Sequence, residues 1–316
     1  MKILVLGAGA VGSLLGALLE EGGNSVFLVG RADHVAAIQA QGLRVSGSRP
    51  RVVHLGAAAQ VPSDAEADVV IVTTKTFDLA AASTALARSL SARPTLLLQN
   101  GLGVLPIARD ALAAGGWSDP ATYLVRGVNS IPATWVGPGE VRETGLGEVL
   151  LPVPGEAGPA AGAARLFRML LDGARVPVEA APEFEREVWR KALLNAAINP
   201  VSAVRGVTNG ELLTEPARTQ ALQLLGEALA VARAAGFDFT SEEVTRDFER
   251  IARATAANRS SMLQDLDRGR PTEIDAISGE ILREAARRGL ELPATRAIVA
   301  EVTARAARAP SRPQPS

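Results

Sequence analysis

The chain has 316 residues, 47% of them hydrophobic, which is enough for one large or two ordinary globular domains with a real core. A formal charge of -1 gives no electrostatic footprint for nucleic acid or a membrane surface, and the absence of Cys removes disulfides, thiolate nucleophiles and zinc–thiolate sites. Only His34 and His54 can supply imidazole, so metal chemistry is not expected and the remaining partners are small molecules.

Lys2 to Leu6 is a short apolar run that turns directly into Gly7-Ala8-Gly9-Ala10-Val11-Gly12 and then into the helical spacing of Leu14, Leu15, Leu18 and Leu19. Strand, G-x-G-x-x-G and helix follow in the order a dinucleotide site requires. Gly7 permits the tight turn, Gly9 lets the backbone approach a pyrophosphate, and Gly12 allows close packing of helix on strand. The helix N-terminus then offers its unpaired N–H groups to the anion. A charge-free run from Ile3 to Leu19 can imitate a signal peptide. Its phased glycines, the Glu20-Glu21 end and a length short of the roughly 20 residues of a membrane span predict folded, cytoplasmic chain instead.

A second strand is expected over Ser25–Val29, ending in Gly30-Arg31. An acidic residue there suits the ribose hydroxyls of NAD, whereas Arg31 suits a 2′-phosphate and argues for NADP, with Asp33 two positions on as the competing signal. Asp68 to Thr74 reads as a further strand delivering Lys75 and Thr76. Leu96–Leu98 delivers Gln99-Asn100-Gly101, and Tyr123–Val125 leads into the loop from Gly127 to Ala133. Each loop alone could be an ordinary βα turn; together they fall on the sheet edge where ligands of open parallel sheets bind. Gly and Pro clusters with short β-type runs fill 137–180, with a helical stretch near Ala160–Leu171.

From about Pro182 the β signal vanishes, and helices are expected over Glu183–Ser202, Pro216–Ala235, Ser241–Asp267, Glu273–Arg288 and Ala294–Ala307. The expected architecture is α/β: an N-terminal Rossmann-type parallel sheet domain (1–182) followed by an all-α domain (183–308), with a disordered tail at 309–316. Within the helical half, Lys191, Asn195 and Asn199 recur at i, i+4 and i+8, within roughly 80° of one another on a helix. Pro200 is expected to kink or end that helix, leaving Asn199 near its end. Asn209, before a Gly, lies in turn-like sequence. Usage strengthens the row. Of 33 basic residues only Lys2, Lys75 and Lys191 are lysines, and three of seven asparagines lie between Trp189 and Gly210. A lysine can release its proton when burial favours the neutral amine; an arginine cannot.

Hydride transfer to a carbonyl needs a proton donor for the developing alkoxide. The only tyrosine, Tyr123, has no Lys four residues later, and neither histidine lies in the helical half. Lys191 remains. GAGAVG, VTTKTF, LQNGLG, WRKALLNAAINPVSAVRGVTNGEL and NRSSMLQDLDRGRPTEIDAISG together resemble the ketopantoate reductase (2-dehydropantoate 2-reductase) family, essentially end to end. The resemblance implies NADPH-dependent reduction of 2-dehydropantoate to pantoate, on the route to pantothenate and coenzyme A. It implies Lys191 as general acid holding the substrate oxygen, and Asn195, Asn199, Asn209 and Ser261 as substrate ligands. Glu273 would lie near cofactor and amine, Asn100 would touch cofactor and substrate, and Lys75 and the backbone at Ala133 would contact the cofactor. Read from the residues alone, Ser260 and Ser261 could be mid-helix hydroxyls, and Glu273 first-turn helix acidity. Two other functions stay open: a different 2-keto or β-hydroxy acid dehydrogenase of the same two-domain fold, and a non-catalytic NADP-binding sensor. Oligomeric state is left open, a homodimer included.

Overall fold

The computed structural model describes residues 1–145 and 147–308, so the expected tail at 309–316 lies outside the described residues. The chain divides into two compact units, Met1–Phe184 and a second beginning at Glu185.

In the first unit, β1 (Lys2–Leu6) enters α1 (Ala10–Glu21), then β2 (Ser25–Val29) and α2 (Ala32–Gln41). Three short strands follow, β3 (Leu43–Gly47), β4 (Arg51–Val53) and β5 (Gly56–Ala58). The doubly wound pattern resumes with β6 (Val69–Val72), α3 (Leu79–Ser89), β7 (Thr95–Leu97), α4 (Val104–Gly115) and β8 (Leu124–Arg126). These strands form a six-stranded sheet in the order β5-β2-β1-β6-β7-β8, every pair parallel. Helices cover both faces, which is why its strands are continuously apolar. Ile3, Val5 and Ile71 pack with Leu14, Leu15 and Phe167 on one side, while Leu4, Leu6, Val70 and Val72 pack with Leu79, Leu86 and Val104 on the other.

The remainder of this unit is a pair of smaller sheets. β9 (Val128–Asn129), β10 (Ala133–Gly137), β11 (Glu140–Glu143), β12 (Val149–Pro152), α5 (Ala161–Gly173) and β13 (Val178–Ala181) complete it. One sheet runs β10-β11-β3-β4, the other β13-β12-β9. The strands between Leu43 and Ala58 are not anticipated from the sequence pattern, because runs of three to five residues are too short to establish alternation.

The second unit is helical: α6 (Phe184–Arg205), α7 (Ala217–Ala234), α8 (Ser241–Ala254), α9 (Ser261–Asp267), α10 (Glu280–Arg287) and α11 (Pro293–Arg308). Thr240 opens α8 with a capping box to Glu243, and the Glu227 carboxylate accepts the Ala294 and Thr295 N–H groups at the start of α11.

Three expectations for this unit need correction. Of the two outcomes expected at Pro200, a kink or an end, the structure excludes the end: α6 runs on to Arg205 and stops at Gly206, whose φ is +69°. Ala196 to Val201 are all buried, so tertiary packing offsets the local cost of a mid-helix proline, about 3 kcal/mol. The single helix expected over 241–267 is two. The chain leaves α8 after Ala254, the carbonyls of Ala256 and Asn258 accept the N–H groups of Gly210 and Asn209, and Ser260 caps a new helix. Glu273 does not lie inside a helix. It precedes a π-helical turn, Asp275–Gly279, and its carbonyl accepts the Ile277 N–H. No helix among the described residues is long and apolar enough to cross a membrane.

Candidate functional site

In the first unit the C-terminal ends of β2, β1, β6 and β7 carry, in spatial order, Arg31, the glycine turn, Lys75 and Asn100. The chain runs from β1 outward to β2 and β5, then crosses back to β6 on the other side of β1, so the glycine turn occupies the switch point of the sheet. Gly7 has a φ of +112°, and the N–H groups of Gly7 and Ala8 both donate to Val29 O, at 2.9 and 2.8 Å. Thr73 Oγ1, at the end of β6, donates to Gly7 O at 2.7 Å and locks the turn from the other side.

The three glycines differ in what demands them. A Cβ on Gly7 would lie 2.4 Å from Thr74 N, and one on Gly12 would lie 2.3 Å from both Gly7 O and Thr73 Oγ1. Both positions are glycine because the protein itself fills the space. At Gly9 the nearest atom to such a Cβ is Gly7 O at 4.0 Å. Nothing internal requires glycine there, which fits a backbone kept bare for a ligand. Ala8, Ala10 and Val11 complete the turn, and Gly9 is the N-cap of α1 with no side-chain cap, which leaves the first N–H groups of that helix open at the turn, the arrangement that suits an anion.

Lys75 caps a short 3-10 turn after β6, and Thr76 Oγ1 in that turn donates to Asn100 O at 3.0 Å, so the two loops are tied together. Gln99 is buried, donates to Val72 O, and holds the following Asn100 at the edge. Ala133 opens β10, the outer strand of the second sheet. Because Thr144 N donates to Pro132 O, Ala133 and Glu143 form a non-hydrogen-bonded pair, and the N–H and C=O of Ala133 turn toward the sheet's open edge.

Arg31 is half exposed, with its guanidinium carbon 4.8 Å from the Trp135 ring centroid and Nε 3.7 Å from Asp33 Oδ1. His34, one turn further along α2, is fully buried with its ring centroid 4.4 Å from that of Trp135. The Gly139 N–H donates to its Nδ1 at 2.8 Å, so the proton sits on Nε2, which faces Ser13 Oγ at 2.9 Å. The histidine is therefore a structural strut. Burial pushes it down from 6.5 to about 4, with Arg31 acting in the same sense and Asp33 against it. Since the unfolded chain binds this proton more readily than the native one, stability rises with pH across that window and is lost as pH falls from 6.5 toward 4. Thermal melts of the parent should show this slope, and His34→Gln should flatten it; equal slopes would show that His34 does not titrate against folding.

In the second unit, Lys191 and Asn195 are the two partly exposed positions between Lys191 and Pro200; the other eight, Asn199 included, are buried. The preceding row fixes this rotation. Arg186 and Arg190, on α6, pair with Glu243 at 2.9 and 2.8 Å, Arg190 also bonds Asp247, and both guanidiniums lie over the Phe239 ring. With Arg190 held against α8, Lys191 points about 100° away from that contact.

Three further predicted residues are gathered by the loop between α8 and α9. Ser202 Oγ donates to Asn199 O at 3.1 Å and shares a short hydrogen bond with Ser260 Oγ. Ser260 in turn caps α9 by accepting Leu263 N, which places exposed Ser261 at the first position of that helix, not mid-helix. Asn209 donates its N–H to Asn258 O and its Nδ2 to Thr255 Oγ1, both at 2.9 Å, while Oδ1 is buried without a partner among the described residues. A buried acceptor left open costs stability unless a ligand or water supplies a donor. Glu273 is 6% exposed, a buried carboxyl two residues before the π turn. Thr73, His34, Trp135, Ser202 and Ser260 were not among the residues expected here. Trp135, one of three tryptophans in the chain, carried the same scarcity signal that singled out Lys191.

Two family models match this chain: "Ketopantoate reductase PanE/ApbA" over residues 3–155 and "Ketopantoate reductase PanE/ApbA C terminal" over 183–306. The 2-dehydropantoate 2-reductase of Halobacterium salinarum is 32% identical over 302 residues, covering 94% of this chain and 96% of that protein. That of Bacillus subtilis is 31% identical over 294 residues, 92% and 93% of the two chains. Among solved structures, a PanE/ApbA family ketopantoate reductase from Ralstonia eutropha superposes with a TM-score of 0.85 at 30% identity, over 98% of this chain and 99% of that one. D-mandelate dehydrogenase, solved with NADH and anilino(oxo)acetate, superposes at 0.89 with 26% identity, over 97% and 98%. The chain belongs to the ketopantoate reductase PanE/ApbA family, oxidoreductases that act on a keto group.

Proposed function

We propose that this protein reduces the ketone of 2-dehydropantoate to pantoate with NADPH, in the cytoplasm, on the route to pantothenate and coenzyme A. The observation that carries the reading is the accessible track on α6, where Lys191 and Asn195 break an otherwise buried stretch. Residues 1–182 hold the cofactor and residues 183–308 the substrate. Gly7 to Gly12 and the N-terminus of α1 bind the pyrophosphate, Arg31 the 2′-phosphate, and Lys75, Asn100 and the Ala133 backbone the rest of the dinucleotide. When bound, the nicotinamide supplies the hydride.

Lys191 holds the keto oxygen and donates a proton to it as charge develops, and Glu273 balances the ammonium. Asn195, Asn199 and Asn209 orient the substrate's polar groups, with the buried Asn209 oxygen accepting from a substrate hydroxyl, and Ser261 binds its carboxylate.

A second reading, reduction of another 2-keto acid with NADH, is favoured by the likeness to D-mandelate dehydrogenase. Steady-state rates over a panel separate the two. Under the proposal, kcat/KM with NADPH should be at least ~10-fold higher for 2-dehydropantoate than for phenylglyoxylate or unbranched keto acids, since a site built to bond the substrate's hydroxyl rejects analogues lacking it. A preference for the aromatic keto acid would select the second reading.

A further inference from the structure

Arg31 does not act alone. It has two neighbours of different chemistry: Asp33, whose carboxylate lies 3.7 Å from its Nε, and the ring of Trp135, 4.8 Å from its guanidinium carbon. An arginine collapsed onto Asp33 is neutralised and presents a carboxylate to any incoming phosphate. Over a tryptophan face it keeps its charge and has a planar surface to rest on.

The ring that provides this surface is itself fixed. Trp135 is 8% exposed, and its indole is packed against His34, whose two ring nitrogens are both engaged, one by Ser13 on α1 and the other by the Gly139 N–H in the turn between β10 and β11. Gly139 has a φ of +73°, and a Cβ there would lie 2.8 Å from Ala37 Cβ, so this turn is seated closely on α2. Arg31 and His34 are one helical turn apart and meet the same indole. The hairpin of β10 and β11 thus brings a rigid aromatic surface from a separate sheet to the end of β2.

We infer that Trp135 is a specificity-determining positioning residue: by stacking on Arg31 it holds the guanidinium ready for a monoester phosphate on the adenosine ribose instead of for Asp33. Ordering Arg31 in advance reduces the side-chain entropy lost on gripping that phosphate. The inference rests on the reading of Arg31 as the 2′-phosphate ligand, and Arg31→Ala tests that reading separately.

The experiment compares the parent with Trp135→Leu, Trp135→Phe and Arg31→Ala. It measures KM for NADPH and NADH, and also titrates the full chain with adenosine 2′,5′-bisphosphate and with 5′-AMP by calorimetry. For Trp135→Leu, KM for NADPH and Kd for the bisphosphate should rise roughly three- to tenfold, the scale of a partly exposed cation–π contact. The NADH and 5′-AMP values should move less, and Trp135→Phe, which restores a π face, should recover most of the discrimination. Unchanged discrimination in Trp135→Leu, or equal losses for phosphorylated and unphosphorylated ligands, would overturn the inference. Should that variant fail to fold, the parent's tryptophan fluorescence decides. It should change on adding the bisphosphate and not in Trp135→Phe; a change persisting in Trp135→Phe overturns the assignment. If Arg31→Ala leaves discrimination intact, the phosphate reading itself falls, whatever Trp135 does.

Discussion

Replacing Lys191 by Ala is expected to lower kcat by about 10²- to 10⁴-fold, the range of a lost general acid, while Kd for NADPH stays within about twofold of the parent. Lys191 lies on α6 among buried apolar neighbours, one position past the Arg190 contact that fixes the helix's rotation. The proposed cradle for the dinucleotide is formed by other residues, so binding and turnover should separate. Lys191→Arg should restore charge but not rate, because a guanidinium does not release its proton near neutral pH. Pre-steady-state hydride transfer, followed at the nicotinamide absorbance, with cofactor titration alongside, checks both halves. Parental turnover in Lys191→Ala would remove Lys191 as proton donor, and no activity on any keto acid in the parent, with cofactor binding intact, would favour a sensor.

The second large effect is expected at the glycine turn. In Gly12→Ala the new methyl would lie 2.3 Å from Gly7 O and from Thr73 Oγ1. Thr73 can rotate, but Gly7 O is backbone, and Gly7 is already held by its N–H bond to Val29 O. The turn must therefore shift, at a cost of about 1–3 kcal/mol in stability, and displacement of the pyrophosphate contacts should weaken NADPH by roughly 10²-fold. Gly9→Ala is the control. Among the described residues its methyl would approach no atom beyond its chain neighbours closer than 4.0 Å, so the melting temperature should hold while cofactor affinity falls. Fluorescence titration and thermal melts of the two variants distinguish a glycine kept for packing from one kept for a ligand. Parental affinity in Gly9→Ala would refute the ligand role.

Much of the candidate site's local framework is legible in the sequence because its signals are local. The G-x-G-x-x-G turn needs only a strand before it and a helix after it, and the observed φ at Gly7 and crowding at Gly12 are the constraints that spacing implied. The Lys191, Asn195, Asn199 row follows from helical periodicity and from how rarely the chain uses lysine. The strand ends carrying Arg31, Lys75 and Asn100 follow from short apolar runs.

What the sequence by itself determined is the order of elements, the turn chemistry and the identity of the polar row, since each depends on residues within a few positions of one another. Only the tertiary structure decided that α6 continues through Pro200, where burial of its flanks outweighs a missing hydrogen bond. It also decided that α8 stops at Ala254, because Asn209 and Gly210 take up the loop carbonyls that follow. The setting of Arg31 between Asp33 and Trp135 belongs to the same class: the indole comes from a strand more than a hundred residues away. No local pattern encodes such a contact, because its free energy arises from groups that meet only once the sheets have formed.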